Sequence, residues 1–154
     1  MDLVLWRHAD AEPGEPDEKR RLTAKGKKQA RRAAEWLHAS LPNSARILVS
    51  PAVRAQQTAA CLAELSHRKL KTVAALAPGA SADEILQIVD WPNASGCIVV
   101  VGHQPALGWV ASRLLANREL PWSIKKAGIW WLQARTGAEP SETSLRAVVN
   151  SDLL

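Results

Sequence analysis

Short apolar runs alternate with stretches of helical periodicity along this chain. The runs that predict strands cover residues 2–6, 46–49, 70–74, 97–101, 128–134 and 144–150. The run at 97–101 is apolar at every position, as expected of a strand with both faces covered. Strands that alternate with helices predict an α/β protein. We expect a three-layer sandwich with a mostly parallel central sheet flanked by helices.

Capping residues and apolar spacing predict the helices that lie between these strands. Thr23 is a candidate N-cap, and the apolar residues after it repeat at helical spacing as far as Leu41. Ser81 and Glu84 have the spacing of a capping box, which predicts the start of a third helix. A fourth helix is predicted after Pro105.

The second helix is predicted from the Ser50-Pro51 pair. Serine is a common N-cap and proline is favoured at the first helical position, so this helix is expected to begin there and to run to about residue 65. Its apolar side chains are expected to be buried; they are Val53, Ala60, Cys61 and Leu65.

Length and composition indicate a single globular domain over residues 1–154. The chain is 47% hydrophobic and 23% charged, which is typical of soluble globular proteins. The apolar run from Leu3 to Trp6 is too short for a signal peptide or a membrane span. Cys61 and Cys97 lie in apolar contexts without metal-ligand spacing. We therefore expect a cytoplasmic protein with reduced thiols, no membrane partner and a monomeric state.

The net charge of +5 indicates an anionic partner, and much of it comes from one short segment. Eight basic residues lie between positions 19 and 32: Lys19, Arg20, Arg21, Lys25, Lys27, Lys28, Arg31 and Arg32. They fit a solvated helix face, and they also fit a docking face for an acidic partner. A nucleic-acid binder would rest on this segment alone, so no nucleic-acid partner is expected.

Residues suited to binding one anion follow three of the predicted strands. Arg7 and His8 follow the first, the segment 50–54 follows the second, and Gly102 and His103 follow the fourth. Ligands of parallel sheets bind at the carboxyl ends of the strands, so these groups are expected to meet. Arginine offers a planar fork of donors for phosphate oxygens, and two histidines offer a nucleophile and a further donor.

Four motifs in this order resemble the histidine phosphatase superfamily, which includes the phosphoglycerate mutases. They are Arg7-His8-Ala9, Leu22-Thr23-Ala24-Lys25-Gly26, the block from Ser50 to Ala59, and Val101-Gly102-His103-Gln104-Pro105. The short length and the Arg-His-Ala start look like the small bacterial phosphohistidine phosphatases of the SixA type. Ala9 departs from the usual Arg-His-Gly of the superfamily, which slightly narrows the backbone approach there.

The resemblance implies a role for each of these residues. His8 would be a neutral nucleophile that forms a phosphohistidine intermediate, while Arg7, Arg54 and His103 would hold the phosphoryl oxygens. Further substrate contacts are expected from three residues, Arg20, Ser50 and Gly102. No metal and no cofactor is implied, because arginines take the place of a metal.

An acidic residue after the third strand is missing. Larger superfamily members that cleave phosphate esters carry a proton donor there, whereas this chain has an acid-free segment at 76–81. An alkoxide leaving group needs that proton, and an imidazole protonated on its distal nitrogen does not. The sequence therefore favours a P–N substrate, unless Asp10, Glu12 or Asp83 reaches the site.

The chain also has no room for a large lid, so the site is expected to be shallow and open. Such a site suits phosphohistidine on a protein partner, such as a histidine phosphotransfer domain. Two alternatives stay open at this point. One is a small-molecule phosphomonoesterase of the same fold, and the other is a catalytically weak module that binds phosphohistidine.

Overall fold

Six strands and four α-helices form the framework of the protein. A computed structural model describes residues 1–135, 139 and 142–154. The strands are β1 (Asp2–Arg7), β2 (Arg46–Val49), β3 (Leu70–Thr72), β4 (Cys97–Gly102), β5 (Ile129–Gln133) and β6 (Ser144–Val149). The helices are α1 (Ala24–Ser40), α2 (Val53–Ser66), α3 (Ala82–Val89) and α4 (Ala106–Ala116).

All six strands lie in one sheet, in the order β3-β2-β4-β1-β5-β6. The pairs among β1 to β4 are parallel, whereas β5 is antiparallel to both of its neighbours. Helices α1, α2 and α3 follow β1, β2 and β3, which is the arrangement of crossover connections between parallel strands, and α4 leads from β4 to the antiparallel β5. The predicted fold class, an α/β sandwich with a mostly parallel sheet, is confirmed.

The sheet divides the apolar core into two layers. Along β1, Val4 and Trp6 pack in one cluster, together with residues of α1 and α2, whereas Leu3 and Leu5 pack in the other, together with residues of α3 and α4. Successive side chains of a strand point to opposite faces, so a strand that is apolar at every position feeds both layers. This explains why the run at 97–101, which forms β4, lacks polar alternation.

Three of the four predicted helix starts are confirmed, including that of α4, which begins at Ala106 directly after Pro105. The Thr23 hydroxyl accepts a hydrogen bond from the Gly26 N–H at 2.9 Å, as an N-cap does. Ser81 and Glu84 form the complete capping box at the start of α3. None of the helices in the described part of the chain is long and apolar enough to cross a membrane.

The prediction for the second helix was wrong at its start and on its buried face. The helix α2 begins at Val53, because the Ser50 hydroxyl accepts from the Ala52 N–H and closes a turn ahead of it. Leu65, expected to be buried, is 40% exposed. The buried residues are Arg54, Ala55, Thr58, Ala59 and Leu62. Arg54 lies on this buried face, where His8 and Asp17 are its polar partners.

Candidate active site

The three predicted strand ends meet around the His8 ring. Arg54 donates from Nε to His8 Nε2 at 3.3 Å, and the centroids of the His8 and His103 rings are 5.1 Å apart. The exposed fractions are only 8% for His8, 4% for Arg54 and 6% for His103. The expectation of an open site was therefore wrong for these side chains. The neighbouring 3-10 turn Asp17–Lys19 packs against α2 and binds Arg54.

Backbone contacts orient the His8 imidazole. The Nδ1 atom donates to the Ala9 carbonyl at 2.7 Å, so the proton lies on Nδ1 and the lone pair lies on Nε2. The Ala9 N–H in turn donates to the Thr58 hydroxyl at 3.0 Å. The His8 N–H donates to the Gly102 carbonyl at 3.0 Å. This geometry presents a nucleophilic nitrogen on the side of Arg54.

Burial and nearby arginines keep both histidines neutral. Burial lowers the pKa of His8 to about 4, although its bond to Ala9 acts in the opposite direction, and the charges of Arg54, Arg7 and Arg20 lower it further. Burial likewise lowers the pKa of His103 to about 3, with smaller contributions from His8 and Arg54. A neutral imidazole is the form that can attack phosphorus.

These shifts predict a loss of stability at acidic pH. The unfolded chain protonates its histidines near pH 6.5, whereas folded His8, with a pKa of about 4, stays neutral. The free energy of unfolding should therefore fall as the pH decreases from 6.5 towards 4, by roughly 2 kcal/mol at pH 5 for His8 alone. Urea denaturation at pH 7 and pH 5 measures this fall. A smaller fall is expected for His8→Gln, and an equal fall in that variant would contradict the assignment.

Ser50 supports His103 instead of capping α2. Its hydroxyl accepts from the Ala52 N–H at 3.2 Å and lies 2.7 Å from His103 Nε2. A serine hydroxyl has one proton and two acceptor lone pairs, so this contact fits either tautomer of His103. The His103 Nδ1 atom is buried and has no partner among the described residues. In the tautomer that carries its proton on Nδ1, His103 therefore has a donor available to an anion, while the substrate contact expected of Ser50 stays a prediction.

Arg7 and Gly102 each make a hydrogen bond that involves a backbone carbonyl. Arg7 donates from Nη1 to the Ile124 carbonyl at 2.8 Å, and its Nε atom is buried without a partner among the described residues. Buried polar groups are ordinarily hydrogen-bonded, so this nitrogen is a second donor that an anion could satisfy. Gly102 contributes its carbonyl to His8, and its expected contact with substrate stays a prediction.

Asp17 is a member of the site that the sequence did not single out. One oxygen of its carboxylate accepts from Arg54 Nη2 at 3.0 Å, and the other accepts from Arg20 Nη1 at 3.0 Å. The Asp17 carbonyl also accepts from Arg54 Nη1 at 2.8 Å. The Asp17 carboxylate thus links Arg20 to Arg54. The charge of Arg20 lowers the pKa of His8. Asp17 was missed because its loop, rich in Pro and Gly, has no periodic pattern.

The three candidate proton donors, Asp10, Glu12 and Asp83, have the following contacts. Asp10 is held by Thr23 and Lys126, and the bond to Lys126 is the largest cause of a lowered pKa. Asp83 pairs with Arg113, which also binds Glu119. Glu12 is exposed and meets Arg20 through its backbone carbonyl.

The block from Ser50 to Ala59 has a structural role at almost every polar position. Arg54 and Thr58 lie one turn apart on α2 and support His8 and Ala9, respectively. The Gln57 side chain accepts a hydrogen bond from the Leu22 N–H at 2.7 Å and so connects α2 to the motif that begins at Leu22. That motif ends at Gly26. A Cβ atom at this position would lie 2.0 Å from the Asp10 carbonyl oxygen, so only glycine allows α1 to pack this closely against the loop after His8.

Comparisons with known proteins agree with this geometry. The family model described as histidine phosphatase superfamily (branch 1) matches residues 3–77. The phosphohistidine phosphatase SixA homolog of Haemophilus influenzae is 32% identical over 131 residues, which are 77% of this chain and 79% of that protein. A SixA structure from Nakamurella multipartitia is 31% identical with a TM-score of 0.76, covering 97% of this chain and 95% of its own.

A structure of the protein histidine phosphatase SixA complexed with tungstate has a TM-score of 0.83 at 20% identity, over 99% of both chains. At that identity the likeness concerns the fold alone. The resemblance inferred from the four motifs is confirmed by the family model and by the relatives above 30% identity. The chain therefore belongs to the histidine phosphatase superfamily.

Proposed function

We propose that this phosphatase hydrolyses phosphohistidine on a protein partner through a phosphohistidine intermediate on His8, without a metal ion. The observation that carries the proposal is the His8 ring itself. Its proton is held on Nδ1 by Ala9, its pKa is lowered to about 4, and its Nε2 faces the Arg54 guanidinium. A buried neutral imidazole with its lone pair beside an arginine fork is prepared for attack on a phosphoryl group.

In the first step the His8 Nε2–P bond forms as the substrate N–P bond breaks. The leaving imidazole, protonated on its distal nitrogen, departs as a neutral ring. The phosphorylated His8 ring carries a positive charge, which the Ala9 carbonyl stabilises at Nδ1. Water then attacks phosphorus, His8 leaves as the neutral Nδ1–H ring, and both protons of the water remain on the product, dihydrogen phosphate.

Arginines would supply the charge that a metal ion supplies in other phosphatases. Arg54 and Arg20 already hold a carboxylate, that of Asp17, between them. A phosphoryl group offers the same kind of oxygen acceptors, and it would replace this carboxylate on the two guanidinium groups. The buried nitrogens Arg7 Nε and His103 Nδ1 would donate to the remaining oxygens.

The state of the carboxylates near the site supports a P–N substrate. In the protein without substrate, the bond to Arg20 is the largest cause of the lowered pKa of Asp17, so no protonated Asp17 carboxyl is ready when the substrate arrives. The pKa of Asp10 is lowered too, by Lys126 above all. An ester that needs a protonated carboxyl for its alkoxide would be a poor substrate, whereas phosphohistidine does not need one.

The experiment compares a phosphohistidine peptide with a phosphoserine peptide of the same sequence, in the presence of a chelator. The proposal predicts that phosphate is released from phosphohistidine and that release from phosphoserine is slower by about two orders of magnitude or more, the contribution of a missing general acid. Equal or faster release from phosphoserine would overturn the P–N assignment in favour of a phosphomonoesterase. Asp17→Asn would then be the next variant, since Asp17 is the carboxylate bound to the site arginines. Inhibition by the chelator would overturn metal independence.

A further inference from the structure

One face of α1 lines a basic groove that extends to Arg7, the residue before His8. The term basic groove here denotes Lys25, Lys28, Arg32, Lys125 and Lys126. Two adjoining hollows form it, sharing Lys25 and the opposite wall at Ser151 and Asp152. The first hollow contains Arg7, Lys125 and Lys126, and the second contains Lys28 and Arg32.

The charges of the basic groove are mostly not neutralised by the protein itself. Lys126 pairs with Asp10 at 2.6 Å. Within residues 1–135, 139 and 142–154, no carboxylate lies within 4 Å of the charged groups of Lys25, Lys28, Arg32 or Lys125, and Asp152 is the only acidic residue in the lining of the two hollows. Positions 25, 28 and 32 lie on one face of the helix, where like charges destabilise one another. An anionic ligand would relieve that repulsion.

The other basic residues of the same segment lie elsewhere. Lys19, Arg20 and Arg21 line a separate hollow whose lining includes Glu12 and Glu15. Lys27 and Arg31 are exposed on α1 and belong to neither hollow of the groove. The positive charge that faces the groove is therefore a particular subset of the basic segment. Arg7, the residue directly before His8, lines the first hollow of the groove beside Lys25.

The length of the basic groove indicates a macromolecular ligand. Lys25 and Arg32 are separated by about 10 Å along the helix, at 1.5 Å per residue. Arg7 lines only the first hollow and Arg32 only the second. A small phosphate compound bound at Arg7 would not reach Arg32. A protein that brings its own phosphohistidine to His8 also brings the residues around that histidine, and these are large enough to extend from Arg7 along the groove.

We propose that the basic groove binds an acidic surface that flanks the phosphohistidine of the protein substrate. The inference rests on the proposed function, since it names the chemistry of the partner that the reaction requires. Complementary charge at the rim of an interface accelerates association and selects partners. The groove would thus set KM for acidic partners and leave the chemical step unchanged.

The test uses two variants of the same helix with the same change in charge. Lys28→Glu/Arg32→Glu reverses charges inside the groove, and Lys27→Glu/Arg31→Glu reverses two exposed charges, also four residues apart, outside it. Substrates are phosphohistidine peptides flanked by glutamates or by serines, with phosphoramidate as the small substrate. We expect the wild type and the control variant to prefer the glutamate peptide by about tenfold in kcat/KM at low salt. The groove variant should lose this preference through KM, and all three should hydrolyse phosphoramidate equally.

Equal kcat/KM for the two peptides in the wild type, or equal losses in the two variants, would overturn the groove proposal. Fluorescence anisotropy with an unphosphorylated glutamate-rich peptide measures binding independently of turnover. Failure of the wild type to hydrolyse phosphoramidate and both peptides would therefore refute the proposed function, while the anisotropy result would still decide the groove. Loss of binding to single-stranded RNA in the groove variant, with peptide binding unchanged, would show a nucleic-acid surface instead.

Discussion

Replacement of His8 by alanine is expected to abolish phosphate release, with a fall in kcat of about 10⁴-fold or more. The imidazole is the nucleophile of the proposed reaction, and removal of a covalent nucleophile leaves only the binding groups of the site. Phosphate release from a phosphohistidine peptide under saturating substrate measures the effect. The protein should still fold, because the His8 backbone N–H keeps its bond to the Gly102 carbonyl.

The matched control is His38→Ala, which removes an exposed imidazole near the carboxyl end of α1. It should retain wild-type kcat and KM. A His8→Ala variant that has the far-ultraviolet circular dichroism of the wild type and releases phosphate at a comparable rate would contradict the assigned nucleophile. Water would then have to attack the substrate directly.

Arg54→Ala is expected to lower kcat by about 10²- to 10³-fold, the usual loss when one preorganised donor to a transition-state oxyanion is removed. Arg54 is almost fully buried and lies between His8 and Asp17. Its charge lowers the pKa of His8, so the pKa should rise in the variant. Kinetics combined with an NMR titration of the His8 ring measure both effects.

Arg54→Lys separates charge from geometry. Lysine keeps a positive charge but cannot donate from Nε, Nη1 and Nη2 at once, as Arg54 does towards His8 and Asp17. We expect kcat to remain well below that of the wild type, while the His8 pKa changes less than in Arg54→Ala. Wild-type kcat in either variant would show that Arg54 supports the fold rather than the reaction.

The sequence predicted the parts of this molecule that depend on repeating patterns. Apolar runs predicted the strands, because a sheet covered on both faces needs apolar residues at every position, as in β4. The Thr23 cap and the Ser81 capping box were predictable because they involve residues close in sequence. The meeting of Arg7, His8, Arg54 and His103 followed from the rule that parallel strands end at one edge of the sheet.

The features that were missed depend on contacts between distant segments. Ser50 was assigned to the helix because its local pattern is that of an N-cap, yet its hydroxyl binds His103, 53 residues away. The inward face of α2 includes Arg54, an ionisable residue that no hydrophobic pattern would place in the core. Asp17 binds Arg54 from an irregular loop, and this contact covers a site that the sequence predicted to be open.

The most direct test of the account is to trap the intermediate. The wild-type protein is mixed with a phosphohistidine peptide labelled with radioactive phosphate, quenched in base within milliseconds, and digested for mass spectrometry. We predict an acid-labile, base-stable phosphoryl group on the peptide that contains His8, formed at least as fast as the steady-state release of phosphate. Release of phosphate without labelled enzyme, or a label on another residue, would contradict covalent catalysis by His8.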